Sequence, residues 1–270
     1  MRCFYYINIS IFAAYKNSKK MNTSLLAMDK DPMGKAISDY HQGKATDTLR
    51  VFSSQFDEDE IPIAHLFRTF EEMSPIEQRA LQEAKGKVLD VGGGAGCHAL
   101  VLQENKLDVT AIDLSALSVE TMKSRGVKKC KQIDFFDPQL EGPFDTILLL
   151  MNGAGIIGEV NRFEAFFAQV DRLLAAGGAL YMDSSDLRYL YEEEDHSFSI
   201  NLADKYYGEI DFKMSYRDIV GETFNWLYID IETLTYYSKR YGYQLTLLTE
   251  GKHFDYLVKL DRSSASESVK

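Results

Sequence analysis

Cysteine is scarce in this chain of 270 residues: Cys3, Cys97 and Cys130 are odd in number and far apart. That spacing excludes a disulfide framework and a C-x-x-C metal or redox motif, and it reads as reduced thiols of the cytoplasm. No run of lysine or arginine marks a basic face. The net charge of −11 and a pI near 5.0 argue against recognition of nucleic acid through its phosphates. No apolar stretch is long enough to cross a membrane. Residues 3–15 are mostly apolar or aromatic, but they end in Lys16, Lys19 and Lys20 instead of a small-residue cleavage site. Neither a membrane anchor nor a signal peptide is expected there. No internal repeat is present, and nothing in the sequence bears on oligomeric state.

What is present is organised around residues 87–100. Val88, Leu89 and Val91 make a short apolar strand, Gly92, Gly93, Gly94 and Gly96 make a turn almost without side chains, and Cys97 to Leu102 begin a helix. Such a turn lets a ligand lie directly against backbone N–H groups, so a nucleotide-like cofactor is expected. Gly94-x-Gly96-x-x-Ala99 satisfies the loose dinucleotide fingerprint, with Asp113 near the expected distance. Asp90 separates the choices. A carboxylate two residues before the first glycine would repel a pyrophosphate, whereas it suits a cationic ligand.

In its Asp90-x-Gly92-x-Gly94-x-Gly96 pattern the sequence resembles the class I S-adenosylmethionine-dependent methyltransferases. Their donor carries a sulfonium and an ammonium group and no phosphate. Asp113 ends the second strand, where an acid can accept hydrogen bonds from two ribose hydroxyls. The resemblance implies that Asp134, ending the third strand, accepts from the adenine amino group, and that Phe135 covers the adenine ring. It also puts Leu114 beside the cofactor and cofactor or substrate contacts at Met151 and Asn152, where the fourth strand ends; Asn152 is expected near the methyl group being transferred. The stretch from Asp31-Pro32-Met33-Gly34 to Leu66-Phe67-Arg68 looks like the lead-in of an uncharacterised bacterial subgroup of that family.

From Lys87 strand and helix alternate, with strands at 87–91, 108–113, 129–134, 145–151 and 178–183, and helices at 95–105, 115–125 and 159–174. A helix over 230–241 and strands at 243–248 and 254–260 follow. The last connection is so short that the final strand must run antiparallel to its predecessor. The expected fold is α/β, a doubly wound, mostly parallel sheet of seven strands, Rossmann-like as in the class I methyltransferases. Residues 1–27 read as an extension outside the core, with Met21 or Met28 as the natural start, and 28–86 as a helical N-terminal lid. Residues 87–262 form the cofactor-binding domain, with a β-hairpin insertion pairing Phe212, Met214 and Tyr216 with Phe224, Trp226 and Tyr228. Residues 263–270 form a polar, disordered tail.

By the same resemblance the lid folds over the cofactor, which makes Tyr40, His41, Arg50, His65 and Arg68 lid candidates, Arg68 facing the cofactor carboxylate. His98 reads as a packing residue. Asp183, Asp186 and the run 192–196 match no defined metal loop, so no metal is expected. His41, His65, His196, His253, Asp186 and the tyrosines could each act as a base, none carries a motif, and the catalytic residues stay unassigned. Trp226 and Tyr228 are expected to line an acceptor pocket. The chain lacks the Asn-Pro-Pro-Tyr motif of amino-group methyltransferases acting on nucleic acids, which points to a small-molecule acceptor. A nicotinamide-dependent oxidoreductase and a non-catalytic S-adenosylmethionine-binding module are the alternatives.

Overall fold

The computed structural model describes residues 25–44, 48–191 and 205–262. Most of the expected extension, the polar tail and the acidic run 192–196 lie outside the described residues. In chain order the elements are α1 (Pro32–His41), β1 (Leu49–Phe52), β2 (Asp59–Ile61), α2 (Pro75–Glu83), β3 (Lys87–Val91), α3 (Cys97–Glu104), β4 (Asp108–Asp113), α4 (Ala116–Arg125) and β5 (Cys130–Gln132). There follow β6 (Phe144–Leu149), α5 (Phe163–Leu173), β7 (Leu174–Ser185), β8 (Glu209–Tyr216), β9 (Ile219–Val220), β10 (Phe224–Leu227), α6 (Ile231–Arg240), β11 (Tyr243–Glu250) and β12 (Asp255–Arg262).

Helix starts follow local chemistry. Asp31 accepts the Gly34 N–H with Pro32 at the first helical position of α1. Ser74 and Glu77 form a capping box on α2, Ser115 caps α4 and Asp230 caps α6. The seven-stranded sheet has the order β11-β12-β7-β6-β3-β4-β5. β3 to β7 run parallel, while β12 is antiparallel to both neighbours. The chain leaves β3 toward β4 and β5, then returns to β6 on the other side. That reversal opens a crevice at the carboxyl ends of β3, β4 and β6.

Alternation along the strands feeds two layers. Val88 packs with α2, α3 and α4, whereas Leu89 and Val91 belong to the larger core that takes in Phe163, Phe166, Phe167 and Val170 of α5. Phe163 stacks on Tyr237 of α6 with ring centroids 4.3 Å apart. Among the described residues no helix is long and apolar enough to cross a membrane.

Two expectations need correction. The segment before Lys87 is not wholly helical: β1 and β2 pair with each other, and β1 also pairs with β8. With β9 and β10 they make a second, antiparallel sheet of five strands. Leu49 and Val51 are buried and Arg50 is exposed, a two-residue alternation whose partner strand lies some 160 residues on, at Lys213 to Ser215. The expected pairing of Phe212 with Phe224 is present, but it belongs to a sheet that also takes in β1 and β2 from before Lys87. The third strand of the large sheet is also shorter than expected, because Asp134 accepts the Phe136 N–H at 2.8 Å and turns the chain away.

Candidate functional site

The crevice is lined first by β3 and the turn after it. Gly92, Gly94 and Gly96 have φ of 82°, 52° and 86°, values that side chains tolerate poorly. The N–H groups of Gly92 and Gly93 donate to the Ile112 carbonyl at 2.9 and 3.0 Å. A Cβ on Gly94 would meet nothing nearer than the Gly92 carbonyl oxygen at 3.8 Å, so this face of the turn is bare backbone open to a ligand. Asp90 is 1% exposed, burial pushes its carboxyl pKa up, and its Oδ2 has no hydrogen-bond partner among the described residues. A buried acceptor of that kind fits a cationic donor.

Asp113 holds the turn from the side. Its Oδ2 accepts the Gly94 N–H at 2.9 Å and its Oδ1 accepts the Ser115 N–H at 2.8 Å. Burial, with smaller contributions from Asp31 and Asp90, pushes this carboxyl up to about 7. Leu114 is buried, and its carbonyl accepts from the Gln132 side chain at 2.9 Å. Above the turn lie Met33 and Ile37 of α1 and Leu66. The cleft they enclose measures about 30 Å³, far below the several hundred Å³ usual for a bound small molecule.

The remaining expected residues divide. Asp134, just after β5, is buried, with its carboxyl raised by that burial. Phe135 is fully buried, its ring 5.9 Å from Phe166 and 5.2 Å from Phe136. Its neighbour Phe136 is half-buried, beneath the Arg162 guanidinium at 4.6 Å. Met151 and Asn152 occupy left-handed conformations with φ of 67° and 57°. The N–H groups of Asn152 and Gly153 donate to the Asp183 carboxylate, each at 2.9 Å, and the Ser185 hydroxyl donates to Asn152 Oδ1 at 2.8 Å.

Beyond Met151 lies a second cavity of about 640 Å³. Met151 lines both cavities, so they adjoin at the end of β6. Asp183, at the end of β7, is the residue that sequence reasoning undervalued, weighing it only as a metal ligand; its position at a strand end in the crevice was the available signal. Tyr228 lines this cavity, and Trp226 is not among its lining residues. Its indole is buried against Gly155 in the core between the two sheets.

Arg68 also departs from expectation. Its guanidinium is buried on Glu77 and donates to the His65 carbonyl at 2.5 Å, while its Nε is buried with no hydrogen-bond partner among the described residues. Glu77 in turn pairs with His98 at 2.7 Å, and His98 Nδ1 lies 3.9 Å from Asp90. Burial opposes charge on both. Even so, His98 and Arg68 hold the Glu77 carboxyl well below its usual range, while Cys97, Glu77 and Asp90 push the imidazole up to about 9. Of the other lid candidates, Tyr40 packs on Phe67, His41 bonds Ser124 at 2.8 Å, Arg50 pairs with Glu58 on the surface, and His65 lines the large cavity. Among the described residues no group of His, Cys, Asp and Glu is placed to hold a metal.

A family model described as a methyltransferase domain matches residues 88–178. A solved structure of a SAM-dependent methyltransferase from Bacteroides fragilis, in complex with S-adenosyl-L-homocysteine, is 54% identical. It covers 90% of this chain and 100% of that one, with a TM-score of 0.86. More distant are the PH0226 protein of Pyrococcus horikoshii OT3, at 18% identity over 70% of this chain and 88% of that one with a TM-score of 0.52, and the CcbJ methyltransferase of Streptomyces caelestis, at 13% identity over 73% and 93% with a TM-score of 0.51. At those identities the likeness is one of fold. No curated protein matches the chain.

Proposed function

The chain belongs to the S-adenosylmethionine-dependent methyltransferases, and from that membership we propose that it passes the methyl group to a small-molecule acceptor held in the 640 Å³ cavity beyond Met151. The observation that carries this reading is that Met151 is common to that cavity and to the cleft over the glycine turn. A donor laid along Gly92 to Gly94 has its reactive end at the junction.

The residues fit such a donor. Asp90 Oδ2 is free to accept from its ammonium group, and the bare backbone of Gly92, Gly93 and Gly94, with Gly96 closing the turn, admits it closely. Each oxygen of Asp113 keeps a second lone pair for a ribose hydroxyl. Asp134 serves the adenine amino group, and Leu114 shapes the wall between these two acids. Met151 and Asn152 border the transferred methyl. The sulfonium supplies a strong electrophile, and the protein supplies alignment for an in-line displacement and exclusion of water by Met33, Ile37 and Leu66.

The net charge of −11 disfavours nucleic acid as acceptor, and the reading assigns no membrane partner. The free thiols Cys97 and Cys130 suit a reducing cytoplasm. The test is S-adenosylhomocysteine formation with a panel of small metabolites set beside protein and RNA fractions, alongside calorimetric titration of S-adenosylhomocysteine into the wild type. Turnover in the metabolite panel is expected. Turnover only with a macromolecular fraction overturns the small-acceptor reading while leaving the cofactor in place.

A further inference from the structure

The large cavity has a buried floor and an exposed rim. On the floor Asp183 and Tyr228 are 7% and 3% exposed, whereas Glu72, Tyr189, Glu250, Lys252 and His253 on the rim are exposed. The two backbone bonds from Asn152 and Gly153 fix the Asp183 carboxylate beside Met151, where the methyl group arrives. Tyr228 lines the same cavity with a buried hydroxyl that has no hydrogen-bond partner among the described residues. A phenol left so is costly unless a ligand completes it. The charge balance adds a direction. The carboxylates of Glu72, Asp183, Glu250 and Asp255 outnumber the Lys252 ammonium, and Glu77 is already paired with Arg68. Such a field draws a cation and turns away an anion.

We propose that Asp183 is the catalytic base and that the acceptor is a small amine, bound as its ammonium ion against Asp183 and donating a further hydrogen bond to the Tyr228 hydroxyl. The inference rests on the cavity being the acceptor site. An ammonium ion has no lone pair and cannot attack. Asp183 takes one proton: its O–H bond forms as an N–H bond breaks, and the electron pair stays on nitrogen. That pair then forms the N–C bond to the methyl carbon while the S–C bond breaks and its electrons settle on sulfur, giving neutral S-adenosylhomocysteine. The product leaves as a methylated ammonium ion, and the proton on Asp183 passes to solvent through the open rim. Burial, aided by Glu77 and opposed by the two backbone N–H groups and His98, raises the Asp183 carboxyl to about 7, which suits a proton acceptor working near neutrality. The ionisable groups that bear on it are Arg68, Glu77 of α2, His98 of α3 and Tyr228.

S-adenosylhomocysteine formation is measured for wild type, Asp183→Asn and Tyr228→Phe, with small primary amines and the alcohol, thiol and carboxylic acid of each same carbon skeleton. Turnover is expected among the amines. Asp183→Asn should lower kcat about 100-fold or more at pH 7 and regain rate near pH ~10, where the amine loses its proton unaided. Asn leaves one of the two backbone N–H groups of Asn152 and Gly153 without its acceptor, so calorimetric affinity for S-adenosylhomocysteine is read beside the rate: a fall of more than about threefold marks a displaced loop, and Tyr228→Phe with the acceptor series then decides. Tyr228→Phe keeps the ring and should raise the amine KM roughly tenfold with kcat little changed. Methylation of an alcohol, thiol or acid in preference to its amine, an Asp183→Asn variant with the wild-type pH profile, or a loss that high pH does not restore overturns the proposal. If only a protein or RNA fraction is methylated, the small-acceptor reading falls with it; if small acceptors other than amines are used, that reading stands and this one fails.

Discussion

The Ser115 hydroxyl donates to Asp31 Oδ2 at 2.5 Å across 84 residues of chain. One carboxylate thereby caps α1, through Gly34, and docks it on the start of α4. The same Ser115 gives its backbone N–H to Asp113. The roof over the glycine turn and the acid assigned to the cofactor ribose are two bonds apart.

Cutting this link should loosen the roof. Asp31→Ala removes an N-cap as well as the tether, so a stability loss of about 1 kcal/mol is expected, together with weaker S-adenosylhomocysteine binding. Ser115→Ala removes the cap of α4 too. A double-mutant cycle on calorimetric affinity separates the shared part, and a coupling of at least about 0.5 kcal/mol is expected. Additive losses would mean that each residue acts only on its own helix.

Gly94 and Gly96 both have positive φ but different surroundings. A methyl on Gly94 enters open space, so Gly94→Ala should cost the fold about 1–2 kcal/mol of left-handed strain but weaken S-adenosylmethionine by tenfold or more, an order-of-magnitude expectation from losing close backbone approach. A Cβ on Gly96 would lie 2.9 Å from Val127 Cγ2 and 3.0 Å from Met122 Cγ. Gly96→Ala should therefore show its larger effect in thermal melting, with binding failing only as the fold does.

The pair His98 and Glu77 gives stability a dependence on pH with a definite sign. The folded imidazole ionises at about 9 against an ordinary 6.5, so the folded state holds the extra proton in that window. Its stabilisation is complete below 6.5 and is lost as the pH rises through 9, at about 1.4 kcal/mol per pH unit at most. Asp113 and Asp183, each raised to about 7 from 3.8, act mainly below that window. Denaturant melts of wild type and His98→Gln from pH ~6 to 10 check this; the slope should flatten in the variant.

Much of the fold was legible because its determinants are local. The strand–glycine turn–helix at Lys87, the buried stripe of α5 and the capping box at Ser74 each declare themselves within a few residues. What was hidden depends on partners remote in sequence. β1 is a strand because β8 offers an edge to it, and Arg68 points inward because Glu77 waits there. Phe135 and Phe136 are indistinguishable as letters, and only the turn after β5 decides which ring goes inside. Asp183 carried no motif, since its significance comes from the loop bonds it accepts.

Trp226 and Gly155 supply the last test, because the second sheet rests on the loop after β6 through this contact. A Cβ on Gly155 would fall inside the indole, and the indole is fully enclosed, so Gly155→Ala should destabilise the protein by several kcal/mol, on the order of 3. The indole Nε1 is buried with no hydrogen-bond partner among the described residues. Trp226→Phe therefore removes an uncompensated N–H while it gives up packing, and its net cost should be smaller than that of an ordinary tryptophan truncation, about 3–5 kcal/mol to alanine. The phenyl ring also leaves room for the new methyl. Adding Trp226→Phe to Gly155→Ala should recover part of the lost melting temperature, a non-additivity that distant sites do not show. Because Trp226 lies in the core and outside the large cavity, Trp226→Phe should leave acceptor KM unchanged where Tyr228→Phe raises it. A rise in KM for both variants, with both folded, would put the indole back in the acceptor pocket.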